Sequence, residues 1–278
     1  MARSLVRRPS PRALFLVAAL AAACATVPGT GRRQLKLIPL DQEMALGREA
    51  YAEALSEAPL VTSGPDYEMV QRVGERVARA ARILYPDPAR RFDWEINLID
   101  DPEVVNAWAL PGGKAAVYTG LLPVTQDEAS LAVVVGHEVA HAIAHHGAER
   151  MSQEIGLNSG LTVAGLILQA KKDDPKEAQM IMAALGAGTT VGILLPYSRL
   201  HESEADELGL YLAARAGYDP HAAIGLWQRM AATGGARPPQ FLSTHPSEET
   251  RIKRLRRAMP KAMRYYRQAQ REAAQQGG

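Results

Sequence analysis

Residues 133–147 read VVVGHEVAHAIAHHG and bring four histidines, His137, His141, His145 and His146, within ten residues of one another. On an α-helix, residues four apart lie on one face, so His137 and His141 can grip a single metal ion with Glu138 beside them. A metal held there would acidify a water and polarise a carbonyl, and an adjacent carboxylate would carry the proton, which is the chemistry of a metal-dependent hydrolase. His145 continues the spacing, but on a helix it lies about 12 Å along the axis from His137. Zinc–nitrogen bonds are about 2 Å, so one ion cannot serve both. The longer pattern HExxHxxGxxH also fails, because residue 144 is Ala and residue 147 is Gly. His145 and His146 are therefore expected behind the site or on the surface.

Catalytic zinc commonly takes three protein ligands and keeps one position open. The best source of a third is HESEAD, where Glu202 and Asp206 are again four apart on a predicted helix. Glu202 would complete a two-histidine, one-carboxylate set, and Asp206, one turn on, would accept the other ring N–H of a ligand histidine. The neighbouring Glu204 reads as a solvated surface residue.

HExxH followed by ExxxD resembles the gluzincin zinc peptidases that include HtpX and the CAAX prenyl endopeptidase, and within them the periplasmic lipoprotein branch of BepA and LoiP. TGRRQL, NAWALPGGKAAVYTGLL, SRLHESEADELG and STHPSEETRI carry the likeness outside the metal motif, from about residue 28 to residue 257. The tetratricopeptide array of BepA-type proteins has no counterpart here. The resemblance implies a zinc endopeptidase holding one Zn2+ per chain, with ligands His137, His141 and Glu202, the base Glu138, and Asp206 as a support. It implies that NAWAL, through Asn106 and Ala107, forms a sheet edge to which an extended peptide can add; a plain core hairpin is the alternative. It also brings the loop of His245 near the zinc, either to stabilise an oxyanion or to fill the open position and hold the enzyme latent; a helix-capping or surface histidine is the alternative. Arg251 is a weaker candidate for contact with an oxyanion or a substrate carboxylate.

The elements that must position these groups are legible as changes of period. DQEMALGREAYAEAL and YEMVQRVGERVARAARIL have helical spacing, with Val70, Val73, Val77, Ala81 and Leu84 on one side of the second. In DWEINLI, Trp94, Ile96 and Leu98 alternate with polar residues, the mark of a half-buried strand. NAWAL and KAAVYTG flank the turn PGG and predict a hairpin. Residues 128–150 read as one helix and residues 201–217 as another. Two apolar stretches, 156–170 and 179–195, predict a helical hairpin over the core, with shallow membrane contact as the other reading. The fold class is thus α+β and mainly helical, a gluzincin-like domain with a small β-sheet beside the HExxH helix.

The chain has 278 residues, 47% of them hydrophobic, enough for one large core. Four Arg precede the apolar run Ala13–Ala23, and the single cysteine, Cys24, ends it. This is the layout of a secretory signal, and LAAAC resembles a lipoprotein signal whose cysteine is acylated; an ordinary signal with an incidental cysteine is the alternative. The expected organisation is a signal at 1–23, a lipidated Cys24 with a tether to residue 40, and a peptidase domain over 41–278. Ala25 points to the periplasmic face of a bacterial outer membrane. Losing residues 1–23 removes four positive charges and turns the formal +2 into about −2. Residues 251–271 hold nine Lys or Arg and no acid, a solvated helix face or a contact for anionic lipid. Expected partners are unfolded or misassembled envelope polypeptides and the membrane, and not nucleic acid. The expected function is quality control of envelope proteins; the rival is a chaperone-like lipoprotein that keeps its metal for structure alone.

Overall fold

A computed structural model describes residues 24–157, 198–233, 240–245 and 250–276. Along the chain run strands β1 (Cys24–Thr26) and β2 (Arg33–Leu35), helix α1 (Leu40–Leu55), β3 (Leu60–Val61), α2 (Pro65–Leu84), β4 (Glu95–Ile99), β5 (Ala107–Leu110) and β6 (Lys114–Tyr118). Helices α3 (Glu128–Ile143), α4 (His146–Leu157), α5 (Arg199–Arg215), α6 (Ala222–Thr233), α7 (Gln240–Thr244) and α8 (Arg251–Gln276) follow. Short helical turns at 86–89, 119–121 and 122–125 join them.

The main sheet has the order β3-β4-β6-β5, with β4 and β6 parallel and β5 antiparallel to β6. The β5–β6 hairpin turns through Pro111–Gly113, where Gly112 and Gly113 take φ of 92° and 84°, a region glycine enters without a Cβ clash. β5 is an edge strand among the described residues and packs on α3.

Helix α3 is the axis of the molecule. Its Asp127 cap accepts from the Ser130 N–H, and every residue from Ser130 to Ile143 is buried. Val133, Val134, Val135 and Val139 join a core shared with α2, α5 and α6. Helix α5 crosses α3 at two glycines. A Cβ on Gly209 would stand 2.7 Å from His137 Cα, and one on Gly136 would stand 2.7 Å from the Gly209 carbonyl oxygen. Two small residues at the crossing let the helix bearing Glu202 approach the helix bearing HExxH.

Two expectations change. The helix read over 128–150 breaks at Ala144–His145: His145 takes φ 57°, and α4 starts at His146. His145 Nδ1 lies 2.9 Å from Glu43 Oε2 of α1, a buried pairing that ties the left-handed residue to another helix. The segment 25–37, read from its Pro, Gly and Thr as a tether, pairs as the β1–β2 hairpin and packs, with Val27 and Gln34 buried. The apolar stretches 156–170 and 179–195 lie outside the described residues apart from the end of α4. Among the described residues, no helix is long and apolar enough to cross a membrane.

Candidate metal centre

His137 and His141 leave α3 on one face, and Glu202 comes to them from the first turn of α5. Ser198 caps that turn, its side chain accepting from the His201 N–H. His245, directly after α7, completes the group. The Nε2 atoms of His137 and His141 are 3.2 Å apart. His137 Nε2 is 3.2 Å from His245 Nδ1 and 3.4 Å from Glu202 Oε2. Glu202 Oε1 is 3.4 Å from His141 Nε2 and 2.9 Å from His245 Nδ1. All four side chains are buried, and one ligand atom from each lies within 4.8 Å of the others.

These distances test the fit of a metal. Four donors about 2.0–2.1 Å from a tetrahedral zinc are separated by about 3.4 Å along each edge. Five separations among these groups run from 2.9 to 3.4 Å, with Glu202 using Oε2 towards His137 and Oε1 towards His141 and His245, and they come close to that value. Three buried ring nitrogens facing one carboxylate suit a shared cation, and the donor set of imidazoles and carboxylate is one that zinc takes. The cofactor is zinc.

Electrostatics prepares these donors. Burial pulls the His141 imidazole well below its usual value, which keeps it neutral and able to donate a lone pair. Burial would raise Glu202, but His245, His137 and His141 outweigh it and hold the carboxyl well below its ordinary range. In His137 the burial effect is likewise overcome, here by Asp206 and Glu202, and its pKa rises to about 10. A metal at this place competes with that proton.

Behind His137, Asp206 Oδ1 stands 3.1 Å from Nδ1, a contact close enough for an ion pair but off hydrogen-bond alignment. Arg251, from the start of α8, donates its Nε to Asp206 Oδ2 and its Nη2 to Glu202 Oε2, both at 2.7 Å. Its guanidinium lies 3.9 Å over the Trp227 ring. The side chain is only 2% exposed. Arg251 thus differs from the expectation of a substrate contact: it clamps two acids of the site from behind.

Glu138 is buried beside these donors, and burial raises its pKa. Its Oε1 has no hydrogen-bond partner among the described residues and lies 3.5 Å from His245 Nε2. An unpaired carboxylate oxygen next to a metal-ligand group can take a proton. The backbone of Ala109 in β5 bonds to Glu138 and tempers the rise, so the sheet edge runs past this carboxylate. Ala107 begins that edge strand, and Asn106 just before it is buried, its carbonyl accepting from the Tyr118 N–H. The Phe241 N–H donates to the Val105 carbonyl, fastening α7, which precedes His245, to the same edge.

Sequence reasoning missed a second layer. Glu204 is buried, against the surface placement expected of it; its Oε2 lies 3.0 Å from His146 Nε2, and Thr30 and Arg32 donate to its carboxylate. His146 Nδ1 is 2.9 Å from His141 Nδ1. Arg32 also makes a two-pronged pair with Glu149 at 2.8 and 2.6 Å, and His201 Nε2 lies 3.1 Å from that carboxylate. On an unbroken helix His146 would sit about 140° around the axis from His141. The break at His145 is what turns it inward, and helical spacing carries no sign of that break. The one available signal was TGRR, a motif without an assigned task.

Comparison with known proteins follows the same lines. Over 238 residues, 85% of this chain and 66% of the relative, it is 35% identical to the mitochondrial metalloendopeptidase OMA1 of Schizosaccharomyces pombe. The protein of the same name in Arabidopsis thaliana is 38% identical over 64% of this chain and 35% of its own length. The beta-barrel assembly-enhancing protease of Escherichia coli O157:H7 is 26% identical over 82% of this chain and 46% of its own. The chain thus spans from about a third to two thirds of these relatives. They overturn the placement at the periplasmic face of a bacterial outer membrane, because relatives of higher identity are named as mitochondrial and the assembly protease stands further off. Residues 66–259, well over half of the chain, match a known peptidase family, and the chain belongs to peptidase family M48.

Proposed function

We propose that the protein is a zinc-dependent endopeptidase whose ligands are His137, His141 and Glu202 and whose proton carrier is Glu138. The observation that supports this most is the set of donors spaced 2.9–3.4 Å apart with the unpaired Glu138 oxygen beside them. When bound, zinc polarises the scissile carbonyl and brings the pKa of a water towards neutrality. Glu138, its pKa raised by burial, takes the proton from the attacking water and delivers it to the departing amine. An extended substrate adds to the β5 edge through the outward main-chain groups of Ala107, next to Asn106, whose carbonyl is held by Tyr118 of β6, and this passes the substrate backbone by Glu138. Asp206 and Arg251 hold His137 and Glu202 in place.

His245 stands where a fourth donor belongs, so the resting protein is latent and must move this side chain to admit substrate. The same four donors also support a second reading, a closed metal site in a chaperone-like protein without turnover. His245→Ala separates the two. A gated peptidase keeps its zinc and degrades casein faster, whereas a closed structural site loses zinc. Unchanged zinc with slower casein degradation assigns His245 to the oxyanion instead.

Substrates are unfolded or misassembled polypeptides, a reading supported by the name of the beta-barrel assembly-enhancing relative. An acylated Cys24 belongs to the proposal and rests on residues 1–24 alone; mass spectrometry of the mature N-terminus tests it. For the peptidase itself, chelation should abolish casein degradation and one equivalent of zinc should restore it, with Glu202→Ala failing to rebind. Turnover that survives complete zinc removal contradicts the proposal.

A further inference from the structure

The two histidines of HExxH are each backed by an acid, and each acid is held by an arginine from outside α3 and α5. For His137 the series is Asp206 and then Arg251. For His141 it has one more link. His141 Nδ1 lies 2.9 Å from His146 Nδ1, His146 Nε2 lies 3.0 Å from Glu204 Oε2, and Arg32 Nε donates to that oxygen at 2.8 Å, with Thr30 on the other oxygen. Once His141 gives Nε2 to the metal, one assignment satisfies this series. His141 Nδ1–H donates to His146 Nδ1, and His146 Nε2–H donates to the Glu204 carboxylate, so that each ring gives one N–H and one lone pair, that of His141 going to the metal. A series of this kind fixes the tautomer and ring orientation of a ligand.

We propose that His146 and Glu204 are positioning residues for the ligand His141, and that Thr30 and Arg32 strap this relay shut from the N-terminal hairpin. The strap is anchored twice, since Arg32 also pairs through both Nη atoms with Glu149 of α4, and the Leu37 N–H donates to Ser152 Oγ of the same helix at 2.9 Å. His201, stacked 4.4 Å from His146 at 20°, reaches Glu149 as well and closes the pocket around the relay. Buried Glu149 and Glu204 lose their shared cation if Arg32 is removed. The N-terminal hairpin, more than a hundred residues before His141, therefore acts on metal retention.

The inference rests on the reading of His141 as a zinc ligand, and the test keeps the two apart. Zinc dissociation constants are measured by competition with a chromogenic chelator for the full mature chain and for Glu204→Gln, His146→Phe, Arg32→Ala and Arg32→Lys. Apo-protein melting and the visible spectrum of the Co2+-loaded forms are recorded alongside. Glu204→Gln, which keeps the shape of the side chain, should weaken zinc binding about 10–100-fold, the usual loss when support behind a ligand is removed. Its Co2+ spectrum should shift because the His141 ring is free to turn. Arg32→Ala should weaken zinc in the same direction, and Arg32→Lys should recover part of the loss. Zinc binding within about twofold of wild type in both Glu204→Gln and Arg32→Ala, with unshifted Co2+ spectra, overturns the relay, even if the apo proteins melt lower. A wild-type chain that binds no zinc would instead sink the metal reading itself.

Discussion

Glu202 is one carboxylate facing two imidazoles of α3, the ring of His245 and the guanidinium of Arg251. Removing that guanidinium leaves Glu202 and Asp206 buried with less positive charge, a change that typically costs about 3–5 kcal/mol. Arg251→Ala should therefore destabilise the apo protein by that order in urea unfolding, and Arg251→Lys, which cannot bridge both acids, should recover only part. Acid sensitivity has a distinct origin. Burial opposes ionisation of Glu149, but Arg32 and His201 bring its pKa from 4.5 down to about 2. A depressed carboxyl contributes stability that is complete above about pH 4.5 and lost as pH falls towards 2, at most about 3 kcal/mol for this side chain and less once solvent screening is counted. Glu149→Gln should flatten that part of the acid limb in unfolding curves taken with a chelator present. His137 and His141 could be paired beforehand because helical period puts them on one face, and Glu202 could be chosen from its four-residue spacing to Asp206 in HESEAD. Glu204 and Arg32 could not, and His146 could be placed only behind the site or on the surface, because their meeting depends on one left-handed residue, His145, and on a loop with no periodicity.

At the scale of elements, the site is a crossing of two helices with an edge strand beside it. The sheet and the amphipathic helices were readable from period: the alternation of Trp94, Ile96 and Leu98 and the PGG turn are local signals, and strands β4 to β6 follow them. The α3–α5 crossing was not, because its requirement is spatial. Gly136 and Gly209 matter only once the two helices touch, where a Cβ at Gly209 would stand 2.7 Å from both the His137 Cα and N atoms. Gly209→Ala should force the helices apart, costing about 1–3 kcal/mol as overpacking usually does. It should weaken zinc more than it lowers apo stability, since Glu202 moves with α5. Equal zinc affinity in Gly209→Ala and wild type would show that the crossing does not set the ligand spacing. The strap at 24–35 escaped composition altogether, because Pro, Gly and Thr mark a turn as readily as a linker.

For the molecule as a whole, the candidate ligands come from parts of the chain far apart, with His245 lying 108 residues from His137 and 43 from Glu202. A metal that joins them binds the folded chain and not the unfolded one, so zinc and folding are coupled. At a free zinc concentration a hundredfold above Kd, the gain is about 2.7 kcal/mol. Chelation should then lower Tm by roughly 5–10 °C for a domain of this size, read by calorimetry. The central claim, that zinc here serves turnover and Glu138 carries the proton, is tested most directly by casein degradation in Glu138→Gln at matched metal occupancy. The account predicts one zinc per chain in both proteins and at least about a hundredfold slower degradation in the variant. Degradation at the wild-type rate by zinc-loaded Glu138→Gln would contradict it.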